Sequence, residues 1–438
     1  MREDVFAVKG NELYIEGLRA TELAERFGTP LFVMSETLMR KRFAEIKKDF
    51  ISKYLEYNGE GRKGAFAAYA GKAFLPRAMC LLVEEEGFYL DVVSAGELYT
   101  ALSSGFPAER IGYHGNNKTY AELDNAIEAG VGKIIVDGLD ELDAVREIAA
   151  GHGKKQAVLF RITPEVKAGA HAHITTGKRD SKFGIPMDED ILYPLLRKAI
   201  ESPDVVFKGL HFHIGSQLLE NGPYLEAVDK ALEIIKEVHA RFAYTIDELI
   251  IGGGFGIRYT EEDDRKPYYY FLDPVMERIL DFCEERGLVP PDVGIEPGRS
   301  IVGEAGVTLY KVGTIKKIPG GTKYVSIDGG MSDNIRPALY DAKYEAMIAN
   351  KAGETELETV TVCGKLCETG DKIIEGVDLA DAERGDILCV FATGAYGYSM
   401  ANNYNKTPKP AVVFVSGDEA REVVRRQSIE SMIADEVI

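Results

Sequence analysis

The feature that most constrains this chain is an alternation. Short β-branched or aromatic runs recur between stretches with helical spacing, which is the pattern of parallel βα units. The runs, in order, are "GAFAAYAG", "GFYLDVVS", "RIGYHG", "KIIVDG", "QAVLFRIT", "FKGLHFHIG", "DELIIGGG" and "DVGIEPG". Ser94 and Glu97 make a capping box ahead of Leu98, Ala101 and Leu102, and Asp273 followed by Pro274 reads as a helix start that Gly287 would end. Eight such units over roughly 250 residues predict an α/β fold of the (β/α)8 TIM-barrel class. An open doubly wound sheet is the alternative, but "GGGFGIRY" lacks the third glycine of a dinucleotide fingerprint.

Beyond about residue 300 the texture changes to alternating segments, "TLYKVGTI", "KYVSIDGG", "ETVTVCGKL" and "DILCVFAT", with glycine-rich turns between them. A second, β-rich domain of sandwich or barrel type is expected there. The expected organisation is an N-terminal segment 1–35 packing with the β domain, a barrel over 36–300 and the β domain over 301–438. The net charge is −19, from 52 Lys+Arg against 71 Asp+Glu, which argues against a general nucleic-acid binder. The charged start "MREDVFAVKGNELYIEG" and the lack of a long apolar run predict a cytoplasmic protein with no membrane partner. Cys80, Cys283, Cys363, Cys367 and Cys389 form no CxxC pair and read as free thiols.

The chemically distinctive residues fall at the C-terminal ends of the expected strands, where barrel enzymes build their sites: Lys72, Asp91, His114, Arg161, His213, Gly254 and Glu296. "YAGKAF" carries Lys72 into what reads as core, as a snorkelling side chain, an ion-pair partner or a reactive amine. Alternation in "GLHFHIGSQ" sends Leu210, Phe212 and Ile214 one way and His211 and His213 the other, towards the barrel interior. That pair, with His171 and His173, could bind zinc, but a hydrolytic metal site also wants a carboxylate set and an open coordination position, and no metal is expected. A small dianion such as phosphate explains more: "GGGFG" offers main-chain N–H groups, "IGSQ" the Ser216 hydroxyl, and "EPGRS" sets Glu296 and Arg299 on one turn.

With these motifs in hand, the chain resembles the fold type III pyridoxal-phosphate decarboxylases, most closely the branch acting on meso-2,6-diaminopimelate. "YAGKAF", "DVVSAGEL", "HGNNK", "DSKFG", "GLHFHIGSQ", "GGGFG", "EPGRSIV", "NIRPALYDA", "CETGD" and "GAYGYSMANNYN" carry the likeness in the family's order along nearly the whole chain. The resemblance implies pyridoxal 5'-phosphate as cofactor, held covalently by Lys72. Glu296 would face the ring nitrogen and His213 the ring, while Ser216, Gly253, Gly254, Gly256, Arg299 and Tyr396 would surround the phosphate. It implies that Arg299, Arg336, Tyr340 and Tyr396 bind the distal carboxylate of the amino-acid substrate, that Glu368 takes its distal ammonium and that Cys367 returns a proton to the α-carbon. Cys367 and Glu368 would serve the neighbouring subunit of a homodimer with shared sites, and the 394–405 segment would return to the active site. The implied reaction yields L-lysine and CO2, the last step of lysine biosynthesis.

The rival functions are a related decarboxylase acting on arginine, ornithine or carboxynorspermidine, an alanine-racemase-like enzyme, and a non-catalytic relative. A racemase needs a catalytic tyrosine where this chain carries "CETGD", and a non-catalytic relative would lack Lys72, Cys367 or the phosphate residues.

Overall fold

The computed structural model describes residues 4–55, 64–166 and 181–437; His171 and His173 lie outside them. The chain forms two compact units, Phe43–Gly256 with Arg265–Gly298, and Met1–Arg42 with Ile257–Asp264 and Arg299–Ile438.

In the first unit, strands Ala65–Ala70, Tyr89–Val92, Ile111–Tyr113, Lys133–Val136, Gln156–Arg161, Val205–His211, Glu248–Ile250 and Asp292–Ile295 close into a parallel barrel. Each lies within one of the runs picked out above or overlaps it. Helices cover the outside and side chains fill the inside, so the strands are apolar on both faces, and all six residues of Ala65–Ala70 are buried. Phe66, Ile135, Leu159 and Ile250 form an apolar cluster of buried side chains. Removing each such side chain from water contributes about 1.5–3 kcal/mol.

Two helix signals resolve differently from the expectation. Ser94 does cap the helix Ala95–Ser103, its Oγ accepting from the Glu97 N–H at 3.2 Å, but the Glu97 carboxylate reaches past Ser94 to the Val93 N–H at 2.8 Å. The helix expected to start at Asp273–Pro274 starts earlier, running Tyr268–Arg286 with Pro274 inside it and Gly287 (φ 61°) closing it. Tyr268, Phe271 and Leu272 are buried, and this apolar face extends the helix back through the proline.

In the second unit, strand Leu31–Ser35 pairs antiparallel with Gly306–Lys317 on one side and parallel with Ala411–Ser416 on the other, within a nine-stranded sheet. All five of its residues are buried. Leu31, Val33, Leu309 and Val413 pack in one core of this unit. Ile257 and Tyr259 pack in another with Tyr310, Val325 and Val362, so the range 36–300 drawn from the sequence includes a segment whose side chains belong to the β unit.

Candidate active site

Lys72 follows the first barrel strand on a single turn, Gly71–Ala73. Its neighbours Gly71 and Ala73 are buried while Lys72 itself is exposed, so the chain buries the main chain here and turns the amine out of the core. A Cβ on Gly71 would stand 2.7 Å from the Asp91 carbonyl, which fixes the turn against the second strand. The charge of Lys72 acts on Asp91, Glu97, His114, His211 and His213.

Glu296, just beyond the last barrel strand, sits in a buried polar network. His211 Nε2 lies 3.0 Å from Glu296 Oε2. His114 Nε2 lies 3.5 Å from Glu296 Oε1 and 3.4 Å from Asp91 Oδ1, and the two imidazoles meet edge to face at 5.1 Å. Neither Glu296 Oε1 nor His114 Nε2 makes a hydrogen bond among the described residues. Burial, then the Glu296 charge, pushes Asp91 well above the usual carboxylate range, and burial pulls His114 down to about 4 and His211 well below its ordinary value. Both histidines are therefore neutral near pH 7, and Asp91 holds its proton more tightly than an ordinary carboxyl. Arg161 lies 4.0 Å from Asp137 and 4.4 Å above the Phe183 ring. Buried Lys118 donates to the Gly115 and Ile135 carbonyls at 2.8 and 2.7 Å and to Glu141, which anchors the turn carrying His114.

The strand holding His211 ends at that residue, and only His211 joins Glu296; His213 lies past the strand end, its Nδ1 accepting from the Gly253 N–H at 3.4 Å. Burial lowers the basicity of His213 as well. The glycine turn next to it has no room for side chains. A Cβ on Gly253 would fall 2.0 Å from the Glu296 carbonyl, and one on Gly254 (φ 99°) 2.3 Å from the Gly215 carbonyl. Leu218 N–H donates to the Gly254 carbonyl at 2.9 Å and Gly256 N–H to the Leu218 carbonyl at 2.8 Å, which ties the "IGSQ" turn bearing Ser216 to the glycine turn.

In the β unit, Arg299, Arg336 and Tyr396 come together. The Arg299 and Arg336 guanidiniums lie 5.0 and 5.5 Å from the centre of the Tyr396 ring, and Arg336 lies 5.7 Å from that of Tyr340. Arg336 Nε donates to the Tyr344 hydroxyl at 2.9 Å and Arg299 Nη1 to the Tyr259 hydroxyl. Tyr396 has a left-handed backbone (φ 59°), which costs an aromatic residue free energy that its surroundings must supply.

Cys367 and Glu368 are exposed, in the loop between strands Leu357–Cys363 and Lys372–Ala380. Buried Asp371 holds this loop from inside, accepting from Met331 N–H at 2.6 Å and Leu366 N–H at 2.9 Å. The "NNYN" segment holds it from outside: Cys367 N–H donates to Asn405 Oδ1 at 2.8 Å, and Tyr404 hydroxyl to Glu368 Oε2 at 3.2 Å.

Comparison with known proteins bears on this arrangement. Residues 44–303 match the family model described as pyridoxal-dependent decarboxylase, pyridoxal binding domain. The chain is 46% identical to diaminopimelate decarboxylase of Bacillus subtilis (strain 168), over 96% of this chain and 94% of that protein, and 43% identical to that of Staphylococcus aureus (strain COL), over 98% of each. The chain belongs to the diaminopimelate decarboxylase family. A crystal structure of diaminopimelate decarboxylase from M. jannaschii superposes with a TM-score of 0.92 at 35% identity, covering 99% of this chain and 98% of that one; a second holds L-lysine. As a member of the diaminopimelate decarboxylase family, the protein is a pyridoxal-phosphate-dependent carboxy-lyase.

The sequence singled out Glu296 without His211 as its partner, and Arg336 and Arg299 without Tyr344 and Tyr259. The alternation that turns His211 inward was a usable signal. Nothing near Arg299 in the sequence points to Tyr259, forty positions earlier.

Proposed function

We propose that this chain decarboxylates meso-2,6-diaminopimelate to L-lysine and CO2, the last step of lysine biosynthesis, with pyridoxal 5'-phosphate as cofactor. One observation carries the choice of substrate. Arg336 is a buried cation whose hydrogen-bond partner is a phenol, Tyr344, and it has no carboxylate partner among the described residues. A buried guanidinium is costly until an anion compensates it, and a carboxylate at the end of the substrate remote from the reacting carbon does so with bidentate geometry. Ornithine, arginine and lysine have no carboxylate at that end.

The residues fit the cofactor. Glu296 keeps Oε1 buried without a hydrogen bond among the described residues, an acceptor suited to a protonated ring nitrogen. Lys72 offers a primary amine on a fixed turn, and the Gly253–Gly256 turn presents main chain where side chains cannot fit, as a small dianion requires. In this reading Lys72 holds the cofactor covalently and His213 lies against its ring. Ser216, Gly253, Gly254 and Gly256, with Arg299 and Tyr396, hold its phosphate. The cofactor, when bound, supplies an electron-poor ring that accepts the electron pair left as CO2 departs.

The remaining roles belong to the chain. Glu296 keeps the ring nitrogen protonated. Arg299, Arg336, Tyr340 and Tyr396 orient the distal carboxylate, and Glu368 takes the distal ammonium. Cys367 delivers a proton to the α-carbon after CO2 has left. Cys367 and Glu368 are exposed on the single chain, which supports a homodimer in which each subunit lends this loop to the other's site. In this reading the protein works in the cytoplasm.

The test is CO2 release from a panel of meso-diaminopimelate, lysine, ornithine and arginine. Turnover is expected with the first alone, and preferred turnover of ornithine or arginine would overturn the reading.

A further inference from the structure

The two oxygens of the Glu296 carboxylate are treated differently. Oε2 is engaged by His211 Nε2 at 3.0 Å, while Oε1 is buried and makes no hydrogen bond among the described residues. His211 is 1% exposed, and its other ring nitrogen, Nδ1, is buried without a hydrogen-bond partner among the described residues. A neutral imidazole carries one N–H, so the hydrogen bond to the carboxylate assigns the proton to Nε2 and leaves Nδ1 bare. His114, edge-on to His211 at 5.1 Å, limits the directions in which the ring can turn.

We infer that His211 is the positioning residue of the cofactor-facing carboxylate: its Nε2–H holds Glu296 Oε2 and so presents Oε1 to the ring nitrogen. This rests on the reading of Glu296 as the partner of that nitrogen. Two physical consequences follow. A hydrogen-bond donor on Oε2 fixes the orientation of the carboxylate, and losing that donor leaves a buried acceptor unsatisfied and the group free to turn Oε1 away from the ring. A neutral donor also leaves the full negative charge available to the ring, which an imidazolium would offset. Burial, and the positive charges of Arg161, Lys72 and Lys118 around it, keep His211 in that neutral form.

The test compares His211→Gln, whose side-chain amide N–H can reach the Nε2 position, with His211→Asn, whose amide stops at the Nδ1 position, and His211→Leu, which has no donor. Holoenzyme is reconstituted with pyridoxal phosphate labelled with 15N at the ring nitrogen, and the protonation of that nitrogen is read by NMR, with kcat and KM measured in parallel. The expected result is a protonated nitrogen in wild type and His211→Gln and a shift towards the unprotonated form in His211→Asn and His211→Leu. In the last two kcat should fall by ~10–100-fold, the usual scale for losing a residue that orients a reacting group, with KM little changed. His211→Gln should recover most of the loss. A nitrogen as fully protonated in His211→Asn as in wild type, with kcat unchanged, would overturn the inference. Glu296→Gln separates the two claims: if it leaves the nitrogen protonated, the reading of Glu296 itself fails, whereas a nitrogen lost in Glu296→Gln but kept in His211→Asn sinks the His211 assignment alone.

Discussion

The side-chain amide of Asn221 donates to the main-chain carbonyl of Tyr270 at 3.1 Å, filling the place of the N–H that Pro274, four residues on, does not have. A proline inside a helix leaves that carbonyl orphaned, and here a residue from the start of the preceding helix satisfies it. Asn221→Ala should lower stability by about 0.5–1.5 kcal/mol, the net worth of a part-buried hydrogen bond. Urea unfolding of wild type and variant measures it, and an equal midpoint would show that water replaces the amide at no cost.

Lys72→Ala should abolish CO2 release and leave no covalently attached cofactor after borohydride reduction, as read by intact mass. The fold should survive, because the exposed side chain contributes little to the core around it. Attached cofactor at another lysine would refute the assignment.

Arg336→Ala should raise KM for diaminopimelate by ~10-fold or more while kcat changes less, since the contact is made in ground and transition states alike. Tyr344→Phe removes the hydroxyl that Arg336 donates to and keeps the cation, so its effect on KM should be in the same direction and smaller. Steady-state kinetics on both variants decide the order.

Burial raises Asp333 to about 7 from an ordinary value of 3.8, so the folded protein holds this proton more tightly than the unfolded chain. Its contribution to stability is complete below the unfolded value and is lost as pH rises through the window from 3.8 to about 7. Asp333→Asn keeps an oxygen to accept from the Gly330 N–H, a bond of 3.0 Å in the wild type, and does not titrate. Stability of the variant should decline less than that of wild type between about pH 4 and about pH 8, as followed by chemical denaturation. Parallel declines would locate the sensitivity elsewhere.

Co-expressed Lys72→Ala and Cys367→Ala chains test the shared site. Random pairing makes about half the dimers hybrid, each with one intact site of two, so activity should recover to about a quarter of wild type. Verified hybrids without activity would return Cys367 to the site of its own subunit or remove it from the site.

The barrel was legible because strands buried on both faces stand out as apolar runs, as Ala65–Ala70 does. The start of the helix Tyr268–Arg286 was not, because Asp-Pro is a favoured opening pair and the residue that tolerates the interior proline, Asn221, is far away in sequence. The same holds at the site. Lys72 and Glu296 announce themselves as charges at strand ends, whereas the partners of Arg299 and Arg336 are phenols no local pattern distinguishes from core tyrosines. Long-range neighbours, not local periodicity, set those properties.

The strand Leu31–Ser35 has a consequence for the order in which the protein is made. Its sheet neighbours are Gly306–Lys317 and Ala411–Ser416, so on a ribosome this apolar strand emerges early and must wait through the synthesis of the whole barrel before either partner exists. The barrel has all its strands once residue 295 is out, while the sheet of the β unit lacks its last strand, Glu419–Val424, until residue 424 follows. Until residue 317 is out the nascent chain carries "LFVMS" with both hydrogen-bonding edges unmet, and one edge stays unmet until residue 416, the stage at which a holding chaperone has most to protect.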